Sequence, residues 1–92
     1  MYEIELTARM KRDIKRMKKR GKDMTKLADI LDLLAAGNPL PKKFRDHALT
    51  GNLKDFRECH IEPDWLLMYI VYDNVLVISA TATGSHADLL GI

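Results

Sequence analysis

Three histidines, a carboxylate and an indole stand where this 92-residue chain could bring them together in one reactive site. The runs His60-Ile61-Glu62-Pro63-Asp64-Trp65 and Thr83-Gly84-Ser85-His86 interrupt apolar, strand-like segments, and His47 lies upstream. Polar groups are costly to bury without partners, so we expect these groups at a surface site. Imidazole and carboxylate groups transfer protons near neutral pH, and an indole can stack on a planar base. Together they indicate a site that cuts RNA.

Each of these residues also has an ordinary structural explanation. His60 and His86 could be a satisfied strand histidine and a loop histidine, Asp64 could serve the turn after Pro63, and Trp65 could lie in the core. Lys54 and Arg57 could bind phosphate, or they could simply balance nearby acids. What favours a site is the convergence of these residues on one end of one sheet face. His47 has the weakest independent case.

The size and composition indicate a single domain over residues 1–92. Cys59 is the only cysteine, which fits a reducing compartment. The first residues carry two acids where a signal peptide would carry bases, and the apolar run 65–72 is too short to span a membrane. We therefore expect a cytoplasmic protein that makes no contact with a membrane.

Positive charge is concentrated in one segment of the chain. Residues 9–26 contain ten lysines and arginines and two aspartates, a net charge of +8 within a chain whose total is +2. Such a block is often a solvated helix face, but its density here favours binding to a polyanion or an acidic partner.

Hydrophobic periodicity predicts an α+β fold. Residues 2–7 alternate like a strand, and Met10, Ile14 and Met17 then recur at helical spacing up to Gly21. Asp23 can cap a second helix, whose apolar stripe ends before Gly37. The prediction is an N-terminal strand, two helices and then an antiparallel meander, in two layers. Its remaining elements are a short extended piece at 47–49, strands near 55–62, 65–72 and 75–83, and a last turn at 87–90.

Two-residue turns would fix the register of the meander. They would place Glu62 opposite Trp65, His60 opposite Leu67, and Trp65 opposite Ala82. One face would then carry the mixed set with His60 and Trp65. The other face, with Cys59, Leu66 and Met68, would be covered by the helices. A slip of one residue would exchange the faces.

Other chemistries fit the sequence poorly. No Cys-x-x-Cys or His-x-x-x-His pair suggests a zinc site, so we expect no metal. Cys59 and His60 are strand neighbours that point to opposite faces, which argues against a nucleophile pair. No glycine-rich phosphate loop occurs, so we expect no cofactor.

Three segments, at residues 46–51, 56–69 and 83–89, resemble the YafQ branch of the RelE/ParE toxin superfamily. The resemblance extends over nearly the whole chain. It includes the Pro-Leu-Pro loop at 39–41, and it is most specific in His-Ile-Glu-Pro-Asp-Trp and Thr-Gly-Ser-His.

The resemblance implies a RelE-like fold and the toxin of a type II toxin–antitoxin pair. Such toxins are metal-independent endoribonucleases that cut mRNA on the ribosome, where the 2′-hydroxyl attacks the neighbouring phosphate. Carried over by position, the acid–base residues are His47, His60, Asp64 and His86, and Trp65 matches the family's aromatic neighbour. The expected RNA contacts are Trp65, the positions of Ala82 and Leu90, and also Lys54 and Arg57, which could bind phosphate. His86 would protonate the leaving oxygen, and Asp64 or His60 would accept the 2′-hydroxyl proton. The implied partners are mRNA, the ribosome and a DinJ/RelB-like antitoxin, through which alone the toxin would meet DNA.

The chain departs from the family at two positions. The family usually has arginine immediately before Thr-Gly-[Ser/Thr]-His, where this chain has Ala82, and it favours an aromatic residue where Leu90 stands. A guanidinium beside the site would hold the scissile phosphate, so its absence predicts a weakened enzyme. Either the homologue is naturally weak, or the alanine was introduced to lower its toxicity.

Two other functions remain open from the sequence. A ParE-like relative of the same fold would inhibit a protein target without cutting RNA, although it would not need the histidines. A non-catalytic module would bind RNA or a partner through the basic helix.

Overall fold

Two helices form one of the two layers in the structure, a computed structural model that describes residues 1–91. Helix α1 spans Ala8–Lys19 and α2 spans Met24–Ala35. The Asp23 side chain accepts a hydrogen bond from the Thr25 backbone N–H at 3.0 Å, so the predicted cap is confirmed. Their buried stripes, which match the predicted spacing, are Met10 and Met17 on α1 and Leu27, Ile30 and Leu34 on α2.

A five-stranded sheet forms the other layer and confirms the α+β class. Its spatial order is β1-β5-β4-β3-β2, and only β1 runs parallel to its neighbour, β5. The predicted meander is β3, β4 and β5, and the parallel place of the first strand could not be read from the sequence. The strands are β1 Glu3–Leu6, β2 His47–Ala48, β3 Arg57–Glu62, β4 Trp65–Tyr72 and β5 Val77–Gly84.

A bulge in β3 makes the predicted register wrong beyond the first pair. Glu62 does lie opposite Trp65, but the pairing shifts between His60 and Glu62, so that His60 opposes Leu66 rather than Leu67. Because strand side chains alternate, this shift turns Trp65 and Leu67 toward the helices. Ile61, the residue inside the shift, is buried in the same core.

The second hairpin turn is also longer than predicted. Residues 73–76 form the turn, in which Leu76 adopts a positive φ of 54°, and β5 begins two residues later than expected. A second shift beside Met68 leaves Ala82 opposite Met68, not opposite Trp65.

The two sheet faces therefore have a different composition from the predicted one. The helix-covered core contains Cys59, Ile61, Trp65, Leu67, Tyr69, Ile78 and Ala80. Leu66 and Met68 are buried but lie outside that cluster, on the face that carries Glu58, His60 and Ala82. The face opposite the helices is thus the one on which a site can form.

A short helix, α3, closes the described chain at His86–Leu90, where a turn at 87–90 was predicted. No helix within residues 1–91 is long and apolar enough to cross a membrane.

A buried carboxylate ties α1 to the end of β5. Asp13 is 3% exposed, and its Oδ2 accepts a hydrogen bond from the Thr83 backbone N–H at 3.1 Å. Its Oδ1 accepts a hydrogen bond from Arg16 Nη2 at 2.8 Å, and Arg9 Nε lies 3.4 Å from its Oδ2. Asp13 therefore holds the strand that leads into His86.

Replacing Asp13 should destabilise the protein strongly. In Asp13→Ala, the buried Thr83 N–H loses its acceptor and two guanidiniums lose their partner, so we expect the free energy of unfolding to fall by about 2–4 kcal/mol. Urea denaturation would measure the change. Asp29→Ala, at an exposed carboxylate on α2, is the control and should have little effect. An Asp13→Ala variant as stable as this control would contradict the proposed anchoring role.

Candidate active site

Asp64 and His86 form the closest pair of proton-transferring groups in the site. One carboxylate oxygen, Asp64 Oδ1, accepts the His86 backbone N–H at 2.8 Å and lies 2.6 Å from the His86 ring Nδ1. Both contacts hold the pKa of the Asp64 carboxyl below its usual range, the backbone bond most of all. The ring therefore carries its proton on Nδ1 toward Asp64, and its Nε2 remains for a substrate.

The first turn of α3 places His86 on the sheet. Ser85 and Asp88 form a reciprocal capping box, in which Ser85 Oγ accepts from the Asp88 N–H and Asp88 accepts from the Ser85 N–H. Arg20, at the end of α1, pairs with the same Asp88 through its two terminal guanidinium nitrogens, Nη1 and Nη2. These partners, Arg20 first, hold the pKa of Asp88 far below its usual range.

Gly84 allows this helix start to sit against the strand. A Cβ at Gly84 would lie 2.8 Å from the Asp88 Cβ, which is closer than packed carbon atoms approach. The glycine of the Thr-Gly-Ser-His run is thus required by contact with Asp88.

Thr83 joins this end of β5 to the core. Its hydroxyl donates to the Leu66 carbonyl at 2.6 Å and accepts from Trp65 Nε1 at 2.9 Å. Trp65 is 0% exposed, so its predicted stacking on RNA is wrong; the bulge in β3 directs the indole into the helix-covered core, where it holds Thr83.

A second group of side chains consists of Glu58 and two imidazoles, those of His47 and His60. Glu58 Oε1 lies 3.5 Å from His47 Nε2 and 3.8 Å from His60 Nε2, and the Glu58 side chain is 5% exposed. The His60 ring lies 5.6 Å from the His86 ring, centroid to centroid. The three predicted histidines thus meet on one face of the sheet.

Asp46 fixes the segment that carries His47. It accepts hydrogen bonds from Arg57 Nη2 at 3.1 Å and from the Tyr69 hydroxyl. Arg57 opposes Tyr69 across the strands, on the sheet face opposite to the histidines, and its contact with RNA stays a prediction. Alternation along β3 explains this placement, because Glu58 faces the histidines and its neighbour Arg57 points the other way.

The remaining predicted contacts with RNA lie around the site at different depths. Ala82 is 2% exposed and, through Met68, lies in one cross-strand row with Glu58. Leu90 is exposed at the end of α3, and Lys54 is exposed in the turn after residues 51–53. Over residues 1–91, no ion pair involves Lys54.

A cleft of about 400 Å³ opens beside His60. It lies between α2, a short 3₁₀ turn at Lys42–Phe44 and the end of β3. Three cations, Lys26, Lys43 and Arg45, line it together with two carboxylates, Asp29 and Glu62. Because Lys26 is paired with Glu62, the cations available on this side of His60 are Lys43 and Arg45.

Half of the cations in residues 9–26 are engaged within the molecule. Arg9 and Arg16 meet Asp13, Arg20 meets Asp88, and Lys22 and Lys26 each lie 2.8 Å from Glu62. Over residues 1–91, no ion pair involves the other five, which are Lys11, Arg12, Lys15, Lys18 and Lys19.

The sequence interpretation missed Glu58 as a site residue. Its signal was the i, i+2 spacing to His60, which places both side chains on one strand face. Cys59, between them, is buried, and burial raises the pKa of its thiol to about 12, so it is not a nucleophile.

Two imidazoles, each beside a carboxylate and 5.6 Å apart, form an arrangement that can exchange protons with a substrate on one face of a two-layer α+β domain. Over residues 2–91 the chain matches the family model described as the bacterial toxin YafQ of type II toxin–antitoxin systems, and it belongs to that family. It is 41% identical over 90 residues to the mRNA interferase toxin YafQ of Escherichia coli K12, covering 97% of this chain and 96% of the relative.

Solved structures of relatives have the same fold. A chain in the crystal structure of the E. coli DinJ–YafQ complex superimposes with a TM-score of 0.90 at 38% identity, covering 99% of this chain and 100% of that one. A crystal structure of a metal-bound toxin from Helicobacter pylori gives a TM-score of 0.90 at 39% identity, covering 97% and 99%.

Acid should weaken the contacts of Asp88 with Arg20 and Ser85, which hold α3 in place. A carboxyl whose pKa is lower in the folded state stabilises the fold above its unfolded pKa, about 3.9, and loses that contribution as the pH falls through the folded value. We therefore expect the urea midpoint to fall less between pH 6.5 and pH 3 in Asp88→Asn than in the parent chain. Asp55→Asn, at an exposed carboxylate, should retain the parental pH dependence. If the urea midpoint fell equally between pH 6.5 and pH 3 in all three proteins, the role given to Asp88 would be contradicted.

Proposed function

We propose that this toxin cuts mRNA with His86 as general acid and His60 as general base, as a metal-independent mRNA interferase. It is a toxin of a type II toxin–antitoxin system, and its full-length relatives are mRNA interferases. The observation that supports these roles best is the pair of imidazoles 5.6 Å apart, each with its own carboxylate.

His86 suits the role of general acid. Asp64 Oδ1 accepts a hydrogen bond from the His86 Nδ1–H, with 2.6 Å between the two heavy atoms, and so stabilises the imidazolium. The Nε2–H then points away from the carboxylate. That proton passes to the 5′-oxygen as the phosphorus–oxygen bond breaks. A carboxylate in this position orients and stabilises the ring without itself taking the substrate proton.

His60 is a better base than Asp64. Asp64 already accepts two contacts through one oxygen, and its lowered pKa makes it a weak base. His60 keeps its Nε2 toward Glu58, 3.8 Å away, where the carboxylate stabilises the imidazolium that forms. His60 thus accepts the 2′-hydroxyl proton as that oxygen attacks phosphorus. The products are a 2′,3′-cyclic phosphate and a 5′-hydroxyl.

His47 and the surrounding cations would bind the RNA backbone. The His47 side chain is 50% exposed and lies on the same Glu58 oxygen, so it can contact the phosphate as the reaction adds charge there. Lys43 and Arg45, in the cleft beside His60, would hold the RNA backbone next to that ring. Lys54 and Leu90, both exposed, remain proposed contacts at the edge.

The unpaired cations of α1 suit a polyanionic or acidic partner. A DinJ-type antitoxin is the expected protein partner, because a close structural relative is seen in a DinJ–YafQ complex. In the free toxin the same surface would meet ribosomal RNA during cleavage in the cytoplasm. DNA would be reached only through the antitoxin.

Substitution of His86 tests the acid. We expect His86→Gln to lower the cleavage rate on translating ribosomes by a factor of about 100 or more, because leaving-group protonation is lost. Primer extension would map the cuts, and phosphorylation by polynucleotide kinase would detect the 5′-hydroxyl ends. Asn74→Gln, in the turn at the far end of the hairpin, should cut like the parent. Cleavage by His86→Gln at the parental rate would refute the assignment. So would inhibition of a protein target by the parent with no RNA cuts.

Restoring a guanidinium at position 82 tests the phosphate site. Because Ala82 lies in the row of Glu58, we expect Ala82→Arg to increase cleavage at least tenfold, since one stabilising donor is typically worth about 10²–10³ in rate. Ala82→Gln has similar length without the charge and should not increase the rate. Equal rates for Ala82→Arg and the parent, with both proteins folded by circular dichroism, would show that the phosphate is held elsewhere.

A further inference from the structure

The cleft beside His60 is open because β2 is too short to cover β3. β2 pairs only with Arg57 and Glu58, so within residues 1–91 no strand lies along the outer edge of β3 from residue 59 to residue 62. A strand edge without a neighbour presents unpaired backbone N–H and C=O groups. The cleft holds about 400 Å³, which lies in the range of small-molecule pockets, roughly 300–1,000 Å³.

The walls of the cleft combine apolar surface with charges of both signs. Its apolar residues are Phe44, Ile61 and Pro63. Its charged residues, besides His60, are Lys26, Lys43, Arg45, Asp29 and Glu62. Such a surface suits a planar, partly apolar ring that carries hydrogen-bond donors and is flanked by negative charge. A nucleotide with an amino group on its base has all of these properties.

Asp29 is the carboxylate of the cleft that remains available to a ligand. Glu62 already holds two ammonium groups, since Lys22 and Lys26 each lie 2.8 Å from its carboxylate. Asp29 lines the cleft from α2 and is exposed, and it takes part in no ion pair with any residue from 1 to 91. An ionised carboxylate only accepts hydrogen bonds. It therefore favours adenine, cytosine and guanine, whose exocyclic amino groups uracil lacks.

The two free cations of the cleft lie on the 3₁₀ turn opposite α2. Arg45 ends this turn with φ 52° and ψ 42°, in the left-handed region that residues other than glycine seldom adopt. Residues held in this region cluster at binding and active sites. Lys43 Nζ lies 5.0 Å from the centroid of the Phe44 ring. Both cations are exposed and can bind the phosphates that flank a base in the cleft.

The proposed roles of the two histidines decide which nucleotide meets the cleft. His60 accepts the proton of the attacking 2′-hydroxyl, which belongs to the nucleotide on the 5′ side of the cut. His86 protonates the leaving oxygen of the nucleotide on the 3′ side, and its ring lies 5.6 Å from that of His60. Because His60 lines the cleft, the ribose on the 5′ side lies at the mouth of the cleft.

We propose that the cleft binds the base of the nucleotide on the 5′ side of the cut, and that Asp29 selects a base with an exocyclic amino group. Phe44 supplies apolar surface to the ring, and Lys43 and Arg45 bind the flanking phosphates. This inference rests on the proposed function, because the choice of nucleotide follows from the role of His60 as the base.

Single-turnover cleavage of synthetic mRNAs by the full chain on programmed ribosomes tests this subsite. Adenosine and purine riboside differ only by the amino group, and each is placed in turn on the 5′ side of the cut. We expect the parent to cut the adenosine mRNA at least about tenfold faster, because purine riboside cannot donate to the charged acceptor. In Asp29→Ala the two rates should agree within about twofold, since the acceptor itself is absent.

Asp32→Ala is the matched control, because Asp32 is an exposed aspartate of the same helix that lies outside the lining of the cleft. It should retain the parental preference for adenosine. Arg45→Gln should slow the cleavage of both mRNAs by the same factor, since a phosphate contact carries no information about the base. Circular dichroism would check that every variant is folded.

The outcomes separate this subsite from the proposed function. Equal rates on the two mRNAs with the parent, or an undiminished preference in Asp29→Ala, would overturn the subsite and leave the cleavage reaction standing. Loss of the preference in Asp32→Ala as well would overturn the assignment to Asp29. If the parent cuts neither mRNA, the proposed function fails and this inference fails with it.

Discussion

The contact of one Asp64 oxygen with both the backbone and the ring of His86 is the interaction on which the site depends. It fixes the imidazole at its own backbone position and sets the direction of its second nitrogen. The contact can form only if α3 starts at residue 86. That start requires the Ser85–Asp88 capping box, the approach that Gly84 allows, and the ion pair with Arg20. A five-residue helix would not persist alone in water, so these tertiary contacts hold it in place.

The support for His86 extends through the core to the first helix. The Thr83 hydroxyl accepts a hydrogen bond from the indole N–H of Trp65, and its backbone N–H donates one to Asp13. One buried residue therefore joins β4, β5 and α1. Because Asp13 is itself neutralised by Arg9 and Arg16, part of the basic segment serves the site and not a partner. The charge block thus has two functions. Cations facing Asp13, Asp88 and Glu62 stabilise the fold, and those without an ion pair form a surface for a polyanion or an acidic chain.

The sequence allowed the helices to be predicted well because the local signals agree with the packing. The apolar stripe of α2 and the Asp23 cap depend only on neighbouring residues. The sheet register depends on distant ones. Ile61 is buried in the core, while Glu62 beside it reaches Lys22 and Lys26 on the helix side, and the bulge satisfies both requirements. No pattern within β3 records the position of those lysines, so the faces of β4 were predicted the wrong way round.

The same limit applies to the site. The histidines and Asp64 were predictable as a group, because reactive side chains flanking strand ends are unusual and the family resemblance was specific. Glu58 was not singled out, since its meaning depends on a cross-strand meeting with His47 that only the pairing of β2 with β3 reveals. Trp65 was misassigned because an indole at a strand end serves equally well on either face.

The central claim is that His86 gives its proton to the leaving 5′-oxygen. Its most direct test is an mRNA with a 5′-bridging sulfur at the scissile phosphate, cut by the parent and by His86→Gln on programmed ribosomes. A sulfur leaving group departs without protonation, so the account predicts that His86→Gln cuts the sulfur substrate nearly as fast as the parent does, while it remains impaired on oxygen. An equal impairment on both substrates would contradict the claim and would give His86 a role other than that of the acid.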